Sequence, residues 1–390
     1  MTHLAGSSRL LRAMNESAAL SHLLDRGELT RADLRDLTGL SKPTISEAVR
    51  RLTDAGLVIV VGHVSAGPGP NAEVYAANPA AAYGMAVSVR ETLMTGSPSL
   101  AGAACDVSGS VRARLETPAD FATTDPVDAV AGIVDELRSR LGVSGNAAGY
   151  LQLGVAGAYD PRTGTIHHVD VPGWNRPGLV GRIQERVGIR VGVDNDVNLA
   201  AIAERRRGVA TDAESFALLW FGEGLGLAID LGGALLRGAR GGAGEIGYMP
   251  LYGLDGARNA DFQELVGGRA VLDLAETHRL AGRTPAEVVS AAAKAGPDGA
   301  PFLAELAERI MVGLAAVVAV LDPPLVVLGG EVAQAGGPAL RDAVTAAMRS
   351  APALETAVEI TSVTDDPVLL GALDAALAAV REALLSTLRV

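Results

Sequence analysis

Apolar positions recur every three to four residues in the first part of the chain, which is the period of short amphipathic helices. Residues 10–24 have this period and predict a first helix. Thr30 is placed to cap a second helix, which Gly39 can end by taking the left-handed conformation. Ser41 is placed to cap a third helix, where Pro43 is tolerated because amides of the first turn have no helical partner. The pattern predicts three helices, with a tight turn between the second and the third.

The third helix has an apolar and a polar face. Ile45, Val49 and Leu52 share the apolar sector, which would pack on a partner. The polar sector and the turn before it contain eight residues that we predict to contact DNA: Ser41, Lys42, Pro43, Thr44, Ser46, Glu47, Arg50 and Arg51. Residues 57–61 and 72–76 follow as two strands that would form a wing. The combination is typical of a winged helix-turn-helix, whose recognition helix enters the major groove. An ordinary helical hairpin with a solvated outer face is the alternative.

From residue 81 the pattern changes to short apolar strands, separated by glycine turns and followed by helices. The predicted strands are 86–93, 100–106, 111–116, 150–154, 190–194, 215–221, 225–231, 234–237, 325–328 and 358–361. The predicted helices are 126–141, 197–207, 262–274, 285–294, 301–321 and 369–388. Hairpin strands followed by helices occur twice, which predicts an α/β body of two lobes with a cleft between them.

This organisation predicts three units. Residues 1–80 would form the DNA-binding head, and residues 81–196 the first lobe of the body, completed by a closing helix within 369–390. Residues 197–368 would form the second lobe, which we expect to carry the oligomer interface and one wall of the ligand cleft.

The charge of the chain is unevenly distributed. The net charge is −12, yet residues 1–80 contain eight Lys/Arg and eight Asp/Glu. The net negative charge therefore lies entirely in the body. An acidic body repels DNA phosphates and leaves affinity to a few placed contacts. This distribution fits a site-specific regulator better than a protein that coats nucleic acid.

Several residues outside the head predict structure rather than chemistry. Cys105 is the only cysteine, which excludes disulfides within the chain and thiolate zinc clusters, and we expect it to be a small core residue. The run 205–207 of three arginines is predicted to be a solvated helix end. Residues 1–6 have no signal-peptide pattern and no apolar run reaches membrane-spanning length, so we expect a cytoplasmic protein without a membrane partner.

Six segments, in this order, carry a resemblance to a known family. They are GLSKPTISEAVRRLTDAGLV (39–58), LGVAGAYDPRTG (153–164), VPGWN (171–175), VGVDNDVNLAAIAE (191–204), FGEGLGLAIDLGGALLRGARGGAGEIGYMPL (221–251) and VVLGGEVAQAGG (326–337). Over almost its whole length the chain resembles the ROK family (repressors, open reading frames and kinases), and within it the transcriptional regulators. The resemblance implies a two-lobed body like that of sugar kinases, with the actin-like ATPase (ribonuclease H-like) fold.

The phosphate-binding turns depart from the pattern of the family's kinases. The first turn has an Asp-x-Gly-Gly-Thr pattern in the kinases and is Ser88-Val89-Arg90-Glu91-Thr92 here, without the metal-organising carboxylate or the two glycines. The second turn is Gly222-Glu223-Gly224-Leu225-Gly226, which places a carboxylate where phosphate would lie. Because phosphoryl transfer depends on positioning and neutralising charge, we predict no catalytic residues, no cofactor and no enzyme activity. An active sugar kinase with a regulatory head is the rival hypothesis.

The sugar-binding positions are largely kept. The resemblance implies that Asn195, Asp196, Glu245 and Glu264 hold sugar hydroxyls, and carboxylates and amides suit vicinal hydroxyls. Tyr248 stands where the family usually has histidine, and we include it in the predicted ligand site. Asn195-Asp196 also fits a helix cap, and the two interpretations are compatible. Residues 254–262 contain none of the cysteines of the family's zinc site, so we predict no metal.

Two other segments are less specific. His167 and His168 are predicted to be exposed on a connecting strand, with a place at the mouth of the ligand pocket as the alternative. The wing loop, residues 65–71, lacks the arginine that family repressors often carry there, so we expect weaker reading of the minor groove.

These observations predict a homodimeric or homotetrameric repressor of carbohydrate-related genes. Its partners would be a double-stranded operator and a sugar or sugar phosphate. A regulator that has lost its sugar response is a further alternative, because of Tyr248 and the missing zinc ligands.

Overall fold

The computed structural model describes residues 3–65, 71–90, 98–143, 148–169, 171–222, 224–252 and 258–388. The helices are α1 (His3–Arg26), α2 (Arg31–Thr38), α3 (Lys42–Asp54), α4 (Pro126–Leu141), α5 (Leu179–Val187), α6 (Asp196–Arg207), α7 (Phe262–Val266), α8 (Gly268–Thr277), α9 (Pro285–Ala295), α10 (Ala300–Leu321), α11 (Gly330–Met348) and α12 (Pro367–Thr387). In this part of the chain no helix combines the length and apolar character needed to cross a lipid bilayer.

In the described residues the strands lie in five sheets. They are β1 (Leu29–Thr30), β2 (Val58–Val64), β3 (Ala72–Ala77), β4 (Tyr83–Arg90), β5 (Ser99–Asp106), β6 (Val111–Pro118), β7 (Ala148–Val155), β8 (Ala158–Asp160), β9 (Thr165–His167), β10 (Arg190–Asn195), β11 (Phe216–Phe221), β12 (Leu225–Leu231), β13 (Ala234–Leu235), β14 (Pro250–Tyr252), β15 (Arg258–Asp261), β16 (Leu325–Gly329) and β17 (Ala357–Ile360). Three sheets organise the molecule, and β8–β9 and β14–β15 are small hairpins.

The head consists of α1, α2 and α3 beside an antiparallel sheet in the order β1-β3-β2. The predicted caps are confirmed: Thr30 forms a capping box with Asp33, Gly39 ends α2 at φ 69°, and the Ser41 hydroxyl accepts from the N–H of Thr44. The apolar sector of α3 is buried against α1 and the sheet, as its period predicts. The helix-turn-helix and the wing strands therefore follow from local sequence signals.

The first lobe of the body is a sheet in the order β10-β7-β4-β5-β6, covered by helices on both faces. Successive residues of β4 point to opposite faces. Met85 and Val87 pack in the core that includes α4 and α5, whereas Ala86 packs in a core with residues of α6 and α12. Cys105 is buried in the latter core, which confirms its predicted role.

The second lobe repeats this plan. Its sheet has the order β13-β12-β11-β16-β17, with antiparallel pairing from β13 to β11 and parallel pairing from β11 to β17. The main core of the lobe lies between this sheet and α7 to α11. The two mixed sheets confirm the repeated strand-then-helix pattern seen in the sequence.

The closing helix α12 connects the head and the body. Val380 is part of the head's apolar core, and Leu384 packs against the same core. Arg381 donates from Nε to the carbonyl of Val107 at 2.9 Å, and its Nη1 lies 3.9 Å from Asp25 Oδ1 of α1. The head is thus packed on the body rather than joined to it by the chain alone.

Several elements differ from the prediction. The helix predicted over 262–274 is two helices, because Gly267 is extended (φ −66°, ψ 171°) between α7 and α8. The helices α5 and α11 were not predicted; α11 contains Gly337 at φ 51° followed by Pro338, which interrupt the helical pattern. Glycine and proline at a kink therefore concealed a helix that tertiary packing stabilises.

The prediction of a solvated arginine run at the end of α6 is wrong for Arg205, which is half-buried, whereas Arg206 and Arg207 are exposed. Arg205 Nη2 lies 2.6 Å from Asp230 Oδ1 of β12, and its guanidinium lies 5.0 Å from the centre of the Phe216 ring. Arg207 pairs with Asp374 of α12. These two arginines connect α6 to both of its neighbours, and the segment alone does not reveal those partners.

Candidate functional site

The outer face of α3 is exposed, as the DNA-binding prediction requires. Of the eight predicted contact residues, Thr44 and Ser46 are half-buried and the others are exposed. The hydroxyls of Ser41 and Thr44 lie 2.8 Å apart at the start of the helix. A polar, exposed helix face with its back in the head core is the geometry that a major groove accepts.

Glu47 organises the two arginines of this face. Arg50 donates to both of its carboxylate oxygens, at 2.8 and 3.0 Å, and Arg51 Nε donates to it at 2.8 Å. Hydrogen bonds from Arg50 and Arg51 lower the pKa of Glu47 to about 2. Arg50 also donates to Asp54 at 2.6 Å. The guanidinium groups are therefore held on the outer face rather than free to extend.

Both strands of the wing, β2 and β3, are described. Residues 66–70 of the wing loop lie outside the described residues, so the weaker minor-groove contact expected from them stays a prediction. Asn71 lines a depression of about 340 Å³ near the loop end of the wing strands, together with Arg31 and His63. Arg31 Nη2 lies 3.2 Å from Glu73 on β3.

The junction of β10 and α6 carries the first two predicted ligand residues. The Asn195 side chain caps α6 by accepting from the N–H groups of Val197 and Asn198 at 2.8 and 3.3 Å, and its Nδ2 donates to the carbonyl of Gly157 at 3.3 Å. The capping interpretation of Asn195 is therefore confirmed. The carboxylate of Asp196 accepts from the same Val197 N–H at 2.9 Å, so this donor is shared between the two side chains.

The carboxyl of Asp196 is partly shielded from water and lies near other acidic side chains. Burial raises its pKa to about 7; the hydrogen bond from the Val197 N–H opposes this shift, and the negative charges of Glu245 and Glu331 add to it. A carboxyl with such a pKa, half-buried in a cleft, is typical of a functional position.

The raised pKa of Asp196 predicts a pH dependence of stability. Because this pKa is about 7 in the folded chain and the ordinary value of an aspartate is 3.8, the folded state binds the proton more tightly than the unfolded state, so folding becomes less favourable as pH rises from 4 to 7. The variant Asp196→Asn lacks this penalty. We expect it to unfold at higher denaturant concentration than the wild type at pH 8, and at nearly the same concentration at pH 4.

Denaturant titrations monitored by circular dichroism measure this effect. The matched control is Asp298→Asn, an exposed aspartate in the second lobe, which should leave the difference from wild type independent of pH. An equal stability of Asp196→Asn and wild type at both pH values would contradict the raised pKa.

Glu245 comes from the second lobe and faces the same space. It follows Gly244, whose carbonyl accepts from the Leu227 N–H of β12 at 3.1 Å, so the turn is fixed to that strand. Burial raises the pKa of Glu245, and the charge of His168 partly offsets the shift. Glu245 is thus close enough to Asp196 and His168 to interact electrostatically with both.

Tyr248 and His168 form the exposed edge of this region. Their ring centres lie 4.9 Å apart with the planes tilted by 43°. Both residues are exposed, and His168 has a left-handed backbone (φ 54°). The expectation that His168 is exposed is confirmed, and it lies beside Tyr248, whereas its alternative place at the mouth of a ligand pocket stays a prediction.

Glu264 is less clearly part of the group. It is exposed, and its side chain forms a capping box with Asp261 at the start of α7, accepting from that residue's N–H at 2.8 Å. The neighbouring Gln263 accepts from the Leu225 N–H at 2.9 Å, which brings α7 to the start of β12. The helix therefore reaches the cleft, while the described contacts of the Glu264 carboxylate are local.

The described residues of the first phosphate turn contact other parts of the protein. Ser88 is buried on β4. Arg90 donates to Glu116 at 3.0 Å and pairs with Asp366 at the start of α12. Glu91, Thr92 and Glu223 lie outside the described residues, and so do residues 254–257 of the segment 254–262, which is predicted to lack zinc ligands. The lack of kinase activity and the lack of a bound metal therefore stay predictions.

Two charged groups at the cleft were missed by the sequence reasoning. Asp194 is buried, accepts from Asn198 Nδ2 at 2.9 Å and receives two hydrogen bonds from Arg237, at 2.7 and 2.9 Å. A Cβ on Gly222 would lie 2.6 Å from both carboxylate oxygens of Glu331, so this carboxylate lies directly against the Gly222 turn. Glu331 follows the glycine pair of the last resembling segment, which was the available signal.

Comparison with known proteins covers both parts of the chain. A model of the ROK family matches residues 92–379, and a model of the MarR family matches residues 11–67. The xylose repressor of Bacillus subtilis is 24% identical over 247 residues, which are 62% of this chain and 61% of the repressor. The glucokinase of Streptomyces coelicolor is 27% identical over 263 residues, which are 62% of this chain and 81% of the kinase. The chain spans about three fifths of the length of the repressor.

A solved structure extends the likeness to the whole fold. A ROK family transcriptional regulator, described as a homologue of the Escherichia coli MLC protein, superposes with a TM-score of 0.72 at 18% identity, covering 97% of this chain and 99% of that chain. The fold is therefore a MarR-type winged helix-turn-helix head on a sugar-kinase-like α/β body, as predicted. Because the ROK model spans well over half of the 390 residues, the chain belongs to the ROK family.

Proposed function

We propose that this protein is a cytoplasmic, homodimeric or homotetrameric repressor of carbohydrate-related genes. It binds operator DNA through α3 and responds to a sugar or sugar phosphate in the cleft between the lobes of its body. Residues 1–80 act as the DNA-binding unit, residues 81–196 with 369–390 as one lobe, and residues 197–368 as the other. The observation that carries the proposal is a winged head whose exposed helix is joined to a kinase-like body with altered phosphate turns.

The DNA-binding part is supported by the surface of α3. Lys42, Arg50 and Arg51 are exposed on one face, next to hydroxyl and carboxylate groups that can read base edges. The acidic body disfavours non-specific binding, so specificity rests on this small face. Two heads of an oligomer would occupy successive major grooves of a roughly palindromic site.

The lack of kinase activity is supported by charge at the two phosphate turns. Arg90 is neutralised by Glu116 and Asp366, and Glu331 places a carboxylate against the Gly222 turn. Phosphoryl transfer needs the opposite arrangement, in which cations and free backbone amides surround the phosphates.

The path from the cleft to the head is supported by two helices. The α6 helix begins at Asp196 in the cleft and packs along α12. Near its other end, Glu204 accepts from the N–H of Val363 at 3.4 Å, which fixes the segment that leads into α12. The far end of α12 is part of the head core through Val380. A ligand that binds one lobe arrangement more tightly shifts α6 and α12, and with them the position of the head.

A gel-retardation experiment with the DNA upstream of the gene that encodes this protein tests the proposed operator binding. We expect a discrete complex that survives excess competitor DNA and that a sugar from a panel weakens or strengthens. If the protein retards none of the neighbouring promoter fragments, the proposed DNA-binding function is wrong.

Calorimetry with the same panel tests the second half, and the variant must preserve the cap of α6. Asn195→Ala removes both a sugar contact and a helix cap, which costs about 1 kcal/mol. Asn195→Ser keeps a capping oxygen and removes the amide, together with its hydrogen bond to the Gly157 carbonyl. We therefore expect Asn195→Ser to weaken sugar binding roughly tenfold, the loss of one hydrogen bond to a half-buried polar group, and to lose less stability than Asn195→Ala.

The active-kinase alternative is favoured by the glucokinase relative. It predicts consumption of ATP in the presence of a hexose, and loss of that turnover in Asp196→Asn. A coupled assay separates the two functions, since the proposed regulator consumes none. Binding of DNA without binding of any sugar would instead support a regulator that has lost its sugar response.

A further inference from the structure

The cleft collects negative charge from both lobes. Asp196 comes from the first lobe, and Glu245 and Glu331 come from the second. Burial raises the pKa of both Asp196 and Glu245, and the charges of Glu245 and Glu331 reinforce the shift at Asp196. The charges of Glu245 and Glu331 therefore reach Asp196, which places the three carboxyls near one another: Asp196 and Glu245 are half-buried and Glu331 is exposed beside them.

Glu331 also occupies the position at which an external anion could bind. It is the second residue of α11, where the helix dipole favours negative charge. Its two carboxylate oxygens lie 2.6 Å from the point that a Cβ on Gly222 would take, so the space over that turn is filled by the chain's own carboxylate. An anion attracted by this helix start would have to displace Glu331.

The arginines beside the cleft are already neutralised. Arg237 donates twice to the buried Asp194, and Arg90 pairs with Glu116 and Asp366. A phosphate that recruited Arg237 would have to break its hydrogen bonds to the buried Asp194, which is costly, and one that recruited Arg90 would have to compete with Glu116 and Asp366.

We propose that the cleft takes a sugar without negative charge, either neutral or amine-bearing, and rejects sugar phosphates and sugar acids. This inference rests on the sugar-controlled function proposed above and narrows its ligand class. Carboxylates accept hydrogen bonds from hydroxyl and ammonium groups, whereas a phosphate adds close to two negative charges and offers mostly acceptors. The exposed ring of Tyr248 can in addition attract a cation to its face.

Calorimetry on the full chain near neutral pH tests the inference with matched ligands. Glucose, mannose, xylose and glucosamine are each compared with their phosphates. We expect every sugar that binds to do so at least about tenfold more tightly than its phosphate, the effect of one unfavourable charge contact in a partly buried site. Glucosamine should bind at least as tightly as glucose.

The variant Glu331→Gln separates charge from shape. It keeps the size of the side chain and removes its charge. We expect it to raise the affinity for sugar phosphates and so reduce the difference in affinity between each sugar and its phosphate. Glu308→Gln, an exposed glutamate of α10, is the control that should leave the preference unchanged. Both variants should melt as cooperatively as the wild type.

The outcomes distinguish this inference from the proposed function. A phosphorylated sugar that binds more tightly than its parent would overturn the inference and leave sugar control intact. An unchanged preference in Glu331→Gln would overturn the part assigned to Glu331. Binding of no sugar and no phosphate would overturn both the inference and the sugar-controlled function.

Discussion

A chain that carries Lys42→Ala and Arg50→Ala is expected to bind its operator about 100-fold more weakly than the wild type, since each contact of this kind contributes roughly 1–3 kcal/mol. Both residues are exposed on the outer face of α3. Arg50 is oriented by Glu47 and Asp54, so little side-chain freedom remains to be lost when DNA binds. Fluorescence anisotropy with labelled operator measures the affinity.

The fold should survive this double substitution. The buried residues of α3 are untouched, and the ion pairs that Arg50 makes are exposed, where each contributes at most about 1 kcal/mol. The slope of affinity against salt concentration should also fall if either residue contacts phosphate.

A matched control removes the same charges elsewhere. Arg283 and Lys294 are exposed in the second lobe, and Arg283→Ala with Lys294→Ala changes the net charge equally. We expect this control to keep operator affinity within about threefold, since surface charges beyond a Debye length are largely screened. Equal affinities of the two double variants would show that α3 is not the recognition helix.

Replacing Gly371 by alanine should destabilise the body by roughly 3 kcal/mol or more, at the upper end of the range for overpacked cores. Gly371 lies on the buried face of α12, where a Cβ would come within 1.7 Å of the Leu199 carbonyl oxygen of α6. The obstacle is backbone rather than a flexible side chain, so the two helices must separate. Denaturant titration of the variant measures the loss.

A second helical glycine provides the control. Gly132 is exposed on α4, and a Cβ there meets nothing within 4 Å. Gly132→Ala should stabilise the chain by about 0.5–1 kcal/mol, because alanine is the better helix former. If Gly371→Ala were as stable as Gly132→Ala, the close crossing of α6 and α12 would be disproved.

The Gly371 variant also bears on regulation. The α12 helix packs on α6 near the cleft and on the head at its far end. A substitution that separates α12 from α6 should therefore change the positions of both the cleft residues and the head. We therefore expect the variant, where it folds, to bind operator with altered affinity and to respond less to ligand. This outcome fits a two-state coupling in which α12 has distinct positions.

Local signals explain why much of the head could be predicted. Thr30, Gly39 and Ser41 act on their own neighbours in sequence, through caps and a left-handed turn, so their effect does not depend on the rest of the fold. The repeated strand-then-helix pattern and the order of the glycine-rich segments similarly predicted the two-lobed body, because both are read directly along the chain. The exposed polar face of α3 followed from the helical period of that segment.

The cleft was harder to predict because its residues act across long separations. Asn195 proved to cap α6, and the described contacts of Glu264 lie within its own helix start, neither of which excludes a ligand role. Glu331 was not predicted at all, since nothing in its own segment shows that it packs against Gly222.

The sequence by itself determined the helix-turn-helix, the strand-then-helix order of the body and the family, because periodicity, capping and motif order are properties of neighbouring residues. Only the tertiary structure decided that the head shares its core with Val380 of the closing helix, that Arg205 pairs with Asp230, and that Glu331 fills the space over Gly222. These contacts join residues far apart in the chain, whose partners are chosen by packing and charge once the sheets have formed.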